Sequence, residues 1–267
     1  MRKALTIAGS DASGGAGIQA DLKTFAAHGV YGMSVITAVT AQNTTGVFRV
    51  ENISPEVVGA QLDAVFTDIT PDAVKIGMVS SEAIIKIIAE KLRTYKPARV
   101  VLDPVMVATS GDPLFEQSAQ SALVETLIPL ATVITPNISE AEILANMAIV
   151  TKEDMAAAAC KIRKFCPGAI LIKGGHLATA ADDLLYLPGG EAQWFSKERV
   201  NTHNTHGTGC TLSSAIASGL AREMDLSQAV SAAKDYVHGA IAWGLDLGRG
   251  NGPLNHLYRL FPEEGKF

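Results

Sequence analysis

The sequence predicts an α/β protein in which a mainly parallel sheet is covered by helices on both faces. Short β-branched runs alternate with segments of helical period nearly from end to end, the pattern that builds such a sheet from β-α-β units. The strand-like runs also tend to end in glycine or polar residues, as strands do when their carboxyl ends open onto a ligand crevice. With 267 residues, 48% of them hydrophobic, and a mean hydropathy of +0.21, the chain can bury a substantial core, which excludes disordered and fibrous classes. No Pro/Ser-rich linker, internal repeat or low-complexity tract divides it, so a single domain over residues 1–267 is expected.

Each element has its own signal. Lys3 to Ala8 reads as a strand, and Ala16 to His28 as a helix with Ile18, Leu22 and Phe25 on one face and Gly29 as its C-cap. Ser34 to Ala41 reads as the next strand. Ser54-Pro55-Glu56 supplies an N-cap, a proline at the first helical position and an acidic first turn, followed by Val58, Leu62, Val65 and Phe66 at helical spacing. Strand Ala73 to Ile76, helix Glu82 to Tyr95, strand Arg99 to Leu102, helix Ser118 to Ile128 and strand Thr132 to Thr135 continue the alternation. Helices near Glu140 to Asn146 and Lys152 to Phe165 precede strand Ala169 to Ile172. Leu184 to Leu187 and Ala192 to Phe195 flank Pro188-Gly189-Gly190 and predict a small antiparallel hairpin at the sheet edge. Helices from Cys210 to Arg222 and from Ser227 to Trp243, then a glycine-rich tail, close the chain.

Charge removes several function classes. A net charge of −5, a pI near 5.7 and no Lys/Arg block give no footprint for nucleic acid or an anionic membrane surface. No apolar run approaches the about 18 residues needed to span a bilayer. Met1-Arg2-Lys3 leads straight into a strand without the features of a secretory signal, so the expected address is the cytoplasm. Cys160, Cys166 and Cys210 are odd in number and lack metal-ligand spacing, which predicts reduced thiols.

Chemistry is expected in the polar clusters after the strands. These are Gly9 to Gly17, Gln42-Asn43-Thr44, Asp103-Pro104-Val105, Thr135-Pro136-Asn137 with Glu140, and Lys173-Gly174-Gly175-His176. Another, Asn204-Thr205-His206-Gly207-Thr208-Gly209-Cys210-Thr211, precedes a small-residue helix. Its glycines free consecutive N–H groups to face an anion where the helix dipole also favours negative charge, so it suits a phosphate. A glycine-rich turn would read the same way from this segment alone. Lys173 at the end of an apolar strand can neutralise phosphate oxygens, although a surface lysine is the commoner fate. Asp103, Asn137 and Glu140 offer oxygen ligands of the kind Mg²⁺ favours, usually through water; singly, Asp103 is also a turn former and Glu140 a first-turn helix residue. Neither a P-loop string nor the G-x-G-x-x-G dinucleotide spacing occurs.

Taken together, these strings resemble the hydroxymethylpyrimidine and phosphomethylpyrimidine kinases of thiamine biosynthesis, within the ribokinase-like superfamily. The resemblance runs through Ala4 to Asp11, Ser13 to Thr24, Thr40 to Thr44, Lys75-Ile76-Gly77-Met78, Leu102 to Met106, Ile134 to Asn137, Lys173 to His176 and Asn204 to Thr211. It implies a three-layer α/β/α sandwich, ATP and Mg²⁺ as cofactors, a homodimer, and phosphorylation of 4-amino-5-hydroxymethyl-2-methylpyrimidine and then of its monophosphate. It implies that Gly207, Thr208, Gly209, Cys210 and Lys173 serve the transfer. Gln42, Gly9, Asp21, Met78 and Val105 would contact the pyrimidine, with a solvent-facing helix residue the other reading of Asp21 and a turn glutamine bonded to backbone that of Gln42. Lys173, Asn137, Thr208, His206 and Asp103 would contact the nucleotide phosphates. Asp103, Glu140 and Asn137 would stand near the metal. The wider superfamily usually carries a catalytic aspartate where this sequence, like the pyrimidine-kinase branch, has Cys210. A thiol at a helix N-terminus can have a depressed pKa, so partial thiolate character is one expectation for Cys210 and a small packed residue the other. Gln42 suits an aminopyrimidine because a carboxamide can pair with an exocyclic amine beside a ring nitrogen.

Other readings stay open at this point. Pyridoxal kinase, or an enzyme accepting both rings, is the nearest. A non-catalytic nucleotide-binding module would not need Asp103, Asn137, Glu140, Lys173 and Cys210 together, and a dehydrogenase lacks its fingerprint.

Overall fold

The computed structural model describes residues 1–106, 117–175 and 181–261. His176, part of one string above, lies outside them. Strands β1 (Lys3–Asp11), β2 (Tyr31–Asn43), β3 (Gly46–Asn52), β4 (Ala73–Ile76), β5 (Val100–Leu102), β6 (Val133–Ile134), β7 (Ala169–Ile172), β8 (Asp183–Tyr186) and β9 (Ala192–Phe195) form a nine-stranded sheet in the order β3-β2-β1-β4-β5-β6-β7-β8-β9. The strands from β2 through β7 pair in parallel, while β3, β8 and β9 add antiparallel edges. From β1 the chain builds outward to β2, then returns to build β4 on the other side. The strand order therefore reverses between β1 and β4, the place where open α/β sheets form their ligand crevice.

Helices α1 (Gly17–Ala27), α7 (Thr208–Ala221) and α8 (Leu226–Trp243) cover one face. Helices α2 (Pro55–Asp68), α3 (Glu82–Tyr95), α4 (Gln117–Ala122), α5 (Ile138–Ala145) and α6 (Lys152–Ile162) cover the other. Strand alternation sorts the side chains: Leu5, Ile7, Val74, Ile76, Leu102 and Ile134 pack with Leu62, Ile85, Leu123 and Met155, whereas Ala4, Val101, Val133 and Leu171 pack with Phe25, Ile216 and Val230. Caps start the helices as the sequence leads one to expect. Ser54 accepts from the Val57 N–H at 3.4 Å, and Ser81 from that of Ile84 at 3.2 Å. After Ala122 the helix widens into a π-turn and tightens to a 3₁₀ turn at Ile128–Leu130, where Pro129 withholds an N–H.

The parallel sheet, helices on both faces and the β8–β9 hairpin match the expected architecture. Several boundaries differ. Gln42 and Asn43 belong to β2 rather than to a loop, because β3 pairs with them: Gln42 faces Val47 and Asn43 faces Gly46. Helix α7 begins at Thr208 instead of Cys210, since Gly207 in the left-handed region (φ 82°) already serves as its N-cap.

Candidate active site

The polar clusters meet at the carboxyl end of the sheet. Strand β5 delivers Asp103, which is buried and accepts from Thr135 Oγ1 at 2.9 Å and from Lys173 Nζ at 2.8 Å. Lys173 sits just past β7, where its N–H donates to the Pro136 carbonyl at 2.9 Å. The N-terminus of α7 closes over this pair. A Cβ on Gly209 would lie 3.3 Å from Lys173 Nζ and 3.4 Å from Asp103 Oδ2, so the backbone of the turn stands directly against both charges. Free N–H groups of a helix N-terminus, a dipole and an ammonium thus converge on one spot, an arrangement suited to an anion. Thr208 lies in the same turn, with its hydroxyl donating to the Thr205 carbonyl at 2.7 Å.

Electrostatics follow from this packing. Burial opposes ionisation of Asp103, but Lys173 and Lys75 outweigh it and hold the carboxyl below its ordinary range. Burial also works against the Lys173 charge, and Asp103 and Glu140 overcome it, leaving the ammonium harder to deprotonate than usual. Glu140 has no such escape: burial pushes its carboxyl up to about 7 despite Lys173 nearby, with the Asp103 charge adding to the rise. Cys210 corrects the thiolate expectation. Although it stands in the first turn of α7, close packing drives its thiol up to about 11 against the pull of Lys75, so it is protonated at neutral pH.

Asn137 and Glu140 form a capping box: Asn137 Oδ1 accepts from the Glu140 N–H and Glu140 Oε2 from the Asn137 N–H, both at 2.8 Å. The N-x-x-E element is therefore the start of α5, and it also turns the remaining oxygen of Glu140 toward the Met106 N–H at 3.4 Å. Among the described residues no group of three or more His, Cys, Asp or Glu side chains could hold a metal by itself. The donor set suits Mg²⁺ bound on nucleotide phosphates, which asks only one or two carboxylates of the protein; Glu140, buried near Lys173 but in no direct ion pair among the described residues, meets that requirement.

On the β1 and β4 side, Met78 lies over Gly9 so closely that a Cβ on Gly9 would come within 2.5 Å of Met78 Cε. Gln42 at the end of β2 is half-buried. Among the described residues its carboxamide is engaged only through Oε1, which accepts from Thr40 Oγ1 at 3.2 Å. The next residues, Asn43 and Thr44, line a cavity of about 480 Å³ with Ser13 and Pro253. Val105, half-buried, donates its N–H to the Asp103 carbonyl at 2.8 Å.

Two expected ligand contacts are corrected. Asp21 is fully buried and already satisfied by the protein: both its oxygens bind Lys75 Nζ (2.9 and 2.8 Å), while Thr6 Oγ1 and Ser214 Oγ each donate to it at 2.6 Å. It is a structural ion pair because β4 points Lys75 into the face covered by α1 and α7. His206 likewise turns away from the anion-binding turn, placing Nε2 2.9 Å from Asp11 Oδ2. Sequence reasoning assigned no part to Asp11 itself. Its position two residues before Ser13 in a glycine-rich loop is the signal of an Asx turn, which the Ser13 N–H completes at 2.8 Å.

An α/β fold whose sheet end gathers an anion-binding helix N-terminus, a lysine and buried carboxylates defines a phosphotransferase. The chain belongs to the phosphomethylpyrimidine kinase family, whose model matches residues 11–255. It is 54% identical over 259 residues to the hydroxymethylpyrimidine/phosphomethylpyrimidine kinase of Rhizobium meliloti, covering 96% of this chain and 97% of that one. A phosphomethylpyrimidine kinase structure from Clostridium difficile is 48% identical with a TM-score of 0.81, covering 90% of this chain and all of the other. An ADP complex of Bacillus subtilis pyridoxal kinase is 40% identical with a TM-score of 0.89 over 97% of this chain and 99% of that one. The ribokinase-like α/β/α sandwich implied by the sequence resemblance is thus the fold.

Proposed function

We propose that the protein transfers the terminal phosphoryl group of ATP to the hydroxymethyl oxygen of 4-amino-5-hydroxymethyl-2-methylpyrimidine and, in a second reaction, to the phosphate of the product. The convergence of the Gly207–Cys210 turn with Lys173 and Asp103 carries this reading. In the transfer the acceptor oxygen bonds to the γ-phosphorus, the bridging P–O bond to ADP breaks, and the acceptor proton leaves to solvent. The loose transition state spreads charge over the equatorial oxygens, so positioned N–H groups and an ammonium contribute more than a strong base. The backbone amides of Gly207, Gly209 and Cys210 receive that charge and Lys173 shares it, while Thr208, whose N–H donates to the Thr205 carbonyl at 3.3 Å, shapes the turn. Cys210, protonated, acts as a packed wall and weak donor instead of the base. Mg²⁺ would neutralise charge on the nucleotide phosphates, and Asp103 and Glu140 would hold it there, with Asn137 orienting Glu140 through the capping box.

Gln42 reads the aminopyrimidine edge, with Gly9, Met78 and Val105 as the apolar surface beside the ring. Pyridoxal phosphorylation is a second reading, favoured by the TM-score of 0.89 to Bacillus subtilis pyridoxal kinase. The enzyme works as a homodimer in the cytoplasm on this reading. The β2–β3 ribbon, with Val39, Phe48 and Val50 exposed, is the face offered to a second copy, and the free thiols Cys160, Cys166 and Cys210 suit a reducing compartment. No described helix is long and apolar enough to cross a membrane. An ADP-release assay with Mg²⁺-ATP against the pyrimidine alcohol, its monophosphate and pyridoxal tests the assignment. ADP formed with pyridoxal alone overturns the pyrimidine reading, and nucleotide binding with no ADP formed on any acceptor restores the binding-module alternative.

A further inference from the structure

Asp11 and His206 take no part in the reaction as derived above, yet they join the two loops between which it occurs. Asp11 ends β1 and is buried. Its Oδ1 accepts from the Ser13 N–H and hydroxyl, both at 2.8 Å; its Oδ2 accepts from the Gly15 N–H at 3.1 Å, the Ala16 N–H at 2.8 Å and His206 Nε2 at 2.9 Å. A carboxylate only accepts, so His206 carries its hydrogen on Nε2. Burial opposes the charge, but the His206 and Ser13 bonds prevail and hold the Asp11 carboxyl down at about 2.

His206 is the residue immediately before the anion-binding turn. Its own N–H donates to the Gly252 carbonyl at 3.0 Å, so the backbone there is held from the far side as well. The fit between the loops admits no slack. A Cβ on Gly15 would lie 2.4 Å from the His206 ring, and one on Gly207 would lie 1.9 Å from the Gly15 carbonyl oxygen. Two residues beyond Gly207, the Gly209 backbone stands against Lys173 and Asp103, where an added Cβ would lie 3.3 Å from Nζ and 3.4 Å from Oδ2. A shift of His206 carries into the turn because Thr208 donates both its N–H, at 3.3 Å, and its hydroxyl, at 2.7 Å, back across His206 to the Thr205 carbonyl.

We propose that Asp11 and His206 form a positioning pair that fixes the Gly207–Cys210 turn at the distance from the β1 loop that phosphoryl transfer requires. The proposal rests on the phosphotransferase reading and adds the device that sets its geometry. Misplacing a charge-stabilising turn by about 1 Å can lower a rate by about 100-fold while leaving ground-state binding nearly intact.

The test compares His206→Ala, His206→Asn and His206→Gln in the full chain. Glutamine keeps a side-chain N–H long enough to approach Asp11, whereas asparagine and alanine do not. Expected are a fall of about tenfold or more in kcat for alanine and asparagine with KM for ATP and acceptor changed less than about threefold, and recovery of most of kcat by glutamine. Amide hydrogen exchange of the peptide spanning residues 205–212 should rise in the alanine and asparagine variants and return toward wild type in the glutamine variant. Wild-type kcat in the asparagine variant, equal losses in all three, or unchanged exchange overturns the proposal. Failure of the alanine variant to fold leaves the asparagine and glutamine pair to decide. The exchange measurement needs no turnover, so a wild-type protein inactive on every acceptor would defeat the kinase reading without deciding the pair.

Discussion

Replacing Lys75 by methionine isolates the buried ion pair beneath the site. Lys75 and Asp21 are both fully excluded from solvent, with the ammonium 2.8 and 2.9 Å from the two carboxylate oxygens. Methionine fills much of the same volume, so the change removes charge more than packing. Asp21 would retain the Thr6 and Ser214 hydroxyls, each at 2.6 Å, but its charge would lie in the core uncompensated. Breaking a buried pair in this way costs about 3–5 kcal/mol, which for a chain of this size lowers the melting temperature by on the order of 10 °C. The double variant Asp21→Asn with Lys75→Met removes both charges of the pair and keeps one acceptor oxygen for the hydroxyls, so it should recover more than half of that loss. Chemical denaturation of the four proteins gives the coupling energy directly. A Lys75→Met variant within about 1 kcal/mol of wild type, or a double variant no better than the single one, would refute the reasoning.

The remaining expectations concern the site. Gln42→Ala should weaken use of the pyrimidine by about 1–3 kcal/mol in kcat/KM and pyridoxal use by less; equal losses in a two-substrate assay remove Gln42 from specificity. Lys173→Ala should lower kcat by about 100-fold through lost charge stabilisation, and wild-type turnover in steady-state kinetics contradicts its role. Glu140 titrates near 7 in the folded protein against an ordinary 4.5, so it favours the fold most below about pH 4.5 and that contribution is lost as pH rises toward 7, with a slope of up to about 1.4 kcal/mol per pH unit. Glu140→Gln, which retains the capping box, should flatten the stability profile across that window in nucleotide-free protein; an unchanged profile argues against the raised carboxyl.

The alternation of strand and helix was legible because period and capping are local properties. Ser54-Pro55-Glu56 and the Leu184 to Phe195 hairpin lie where their residue patterns put them. The β3 strand was missed because Gly46 to Asn52 is mostly exposed and pairs on one side only, so its residues carry little apolar alternation. The clusters after strands meet at one end of the structure, since the sheet brings its carboxyl ends together whatever the details. Partner choice was not legible: Lys75 meets Asp21 across 54 positions and His206 meets Asp11 across 195, and no window of sequence contains both members. Cys210 shows the limit of a motif argument. Helix-terminus position favours the thiolate, but desolvation is larger, and only packing reveals which wins.

The span between Asp11 and His206 also bears on how the enzyme is made. A ribosome extends a chain at about 5–20 residues per second, and early segments begin to fold before later ones emerge. The β1 loop leaves the ribosome before its counterpart, which follows 195 positions later. Until then the nascent chain can assemble strands and bury apolar surface, yet it holds only one member of the Asp11–His206 pair. Closure of the pair is thereby tied to synthesis of residue 206, and truncated products ending before it should be idle toward nucleotide in an ATP-turnover assay.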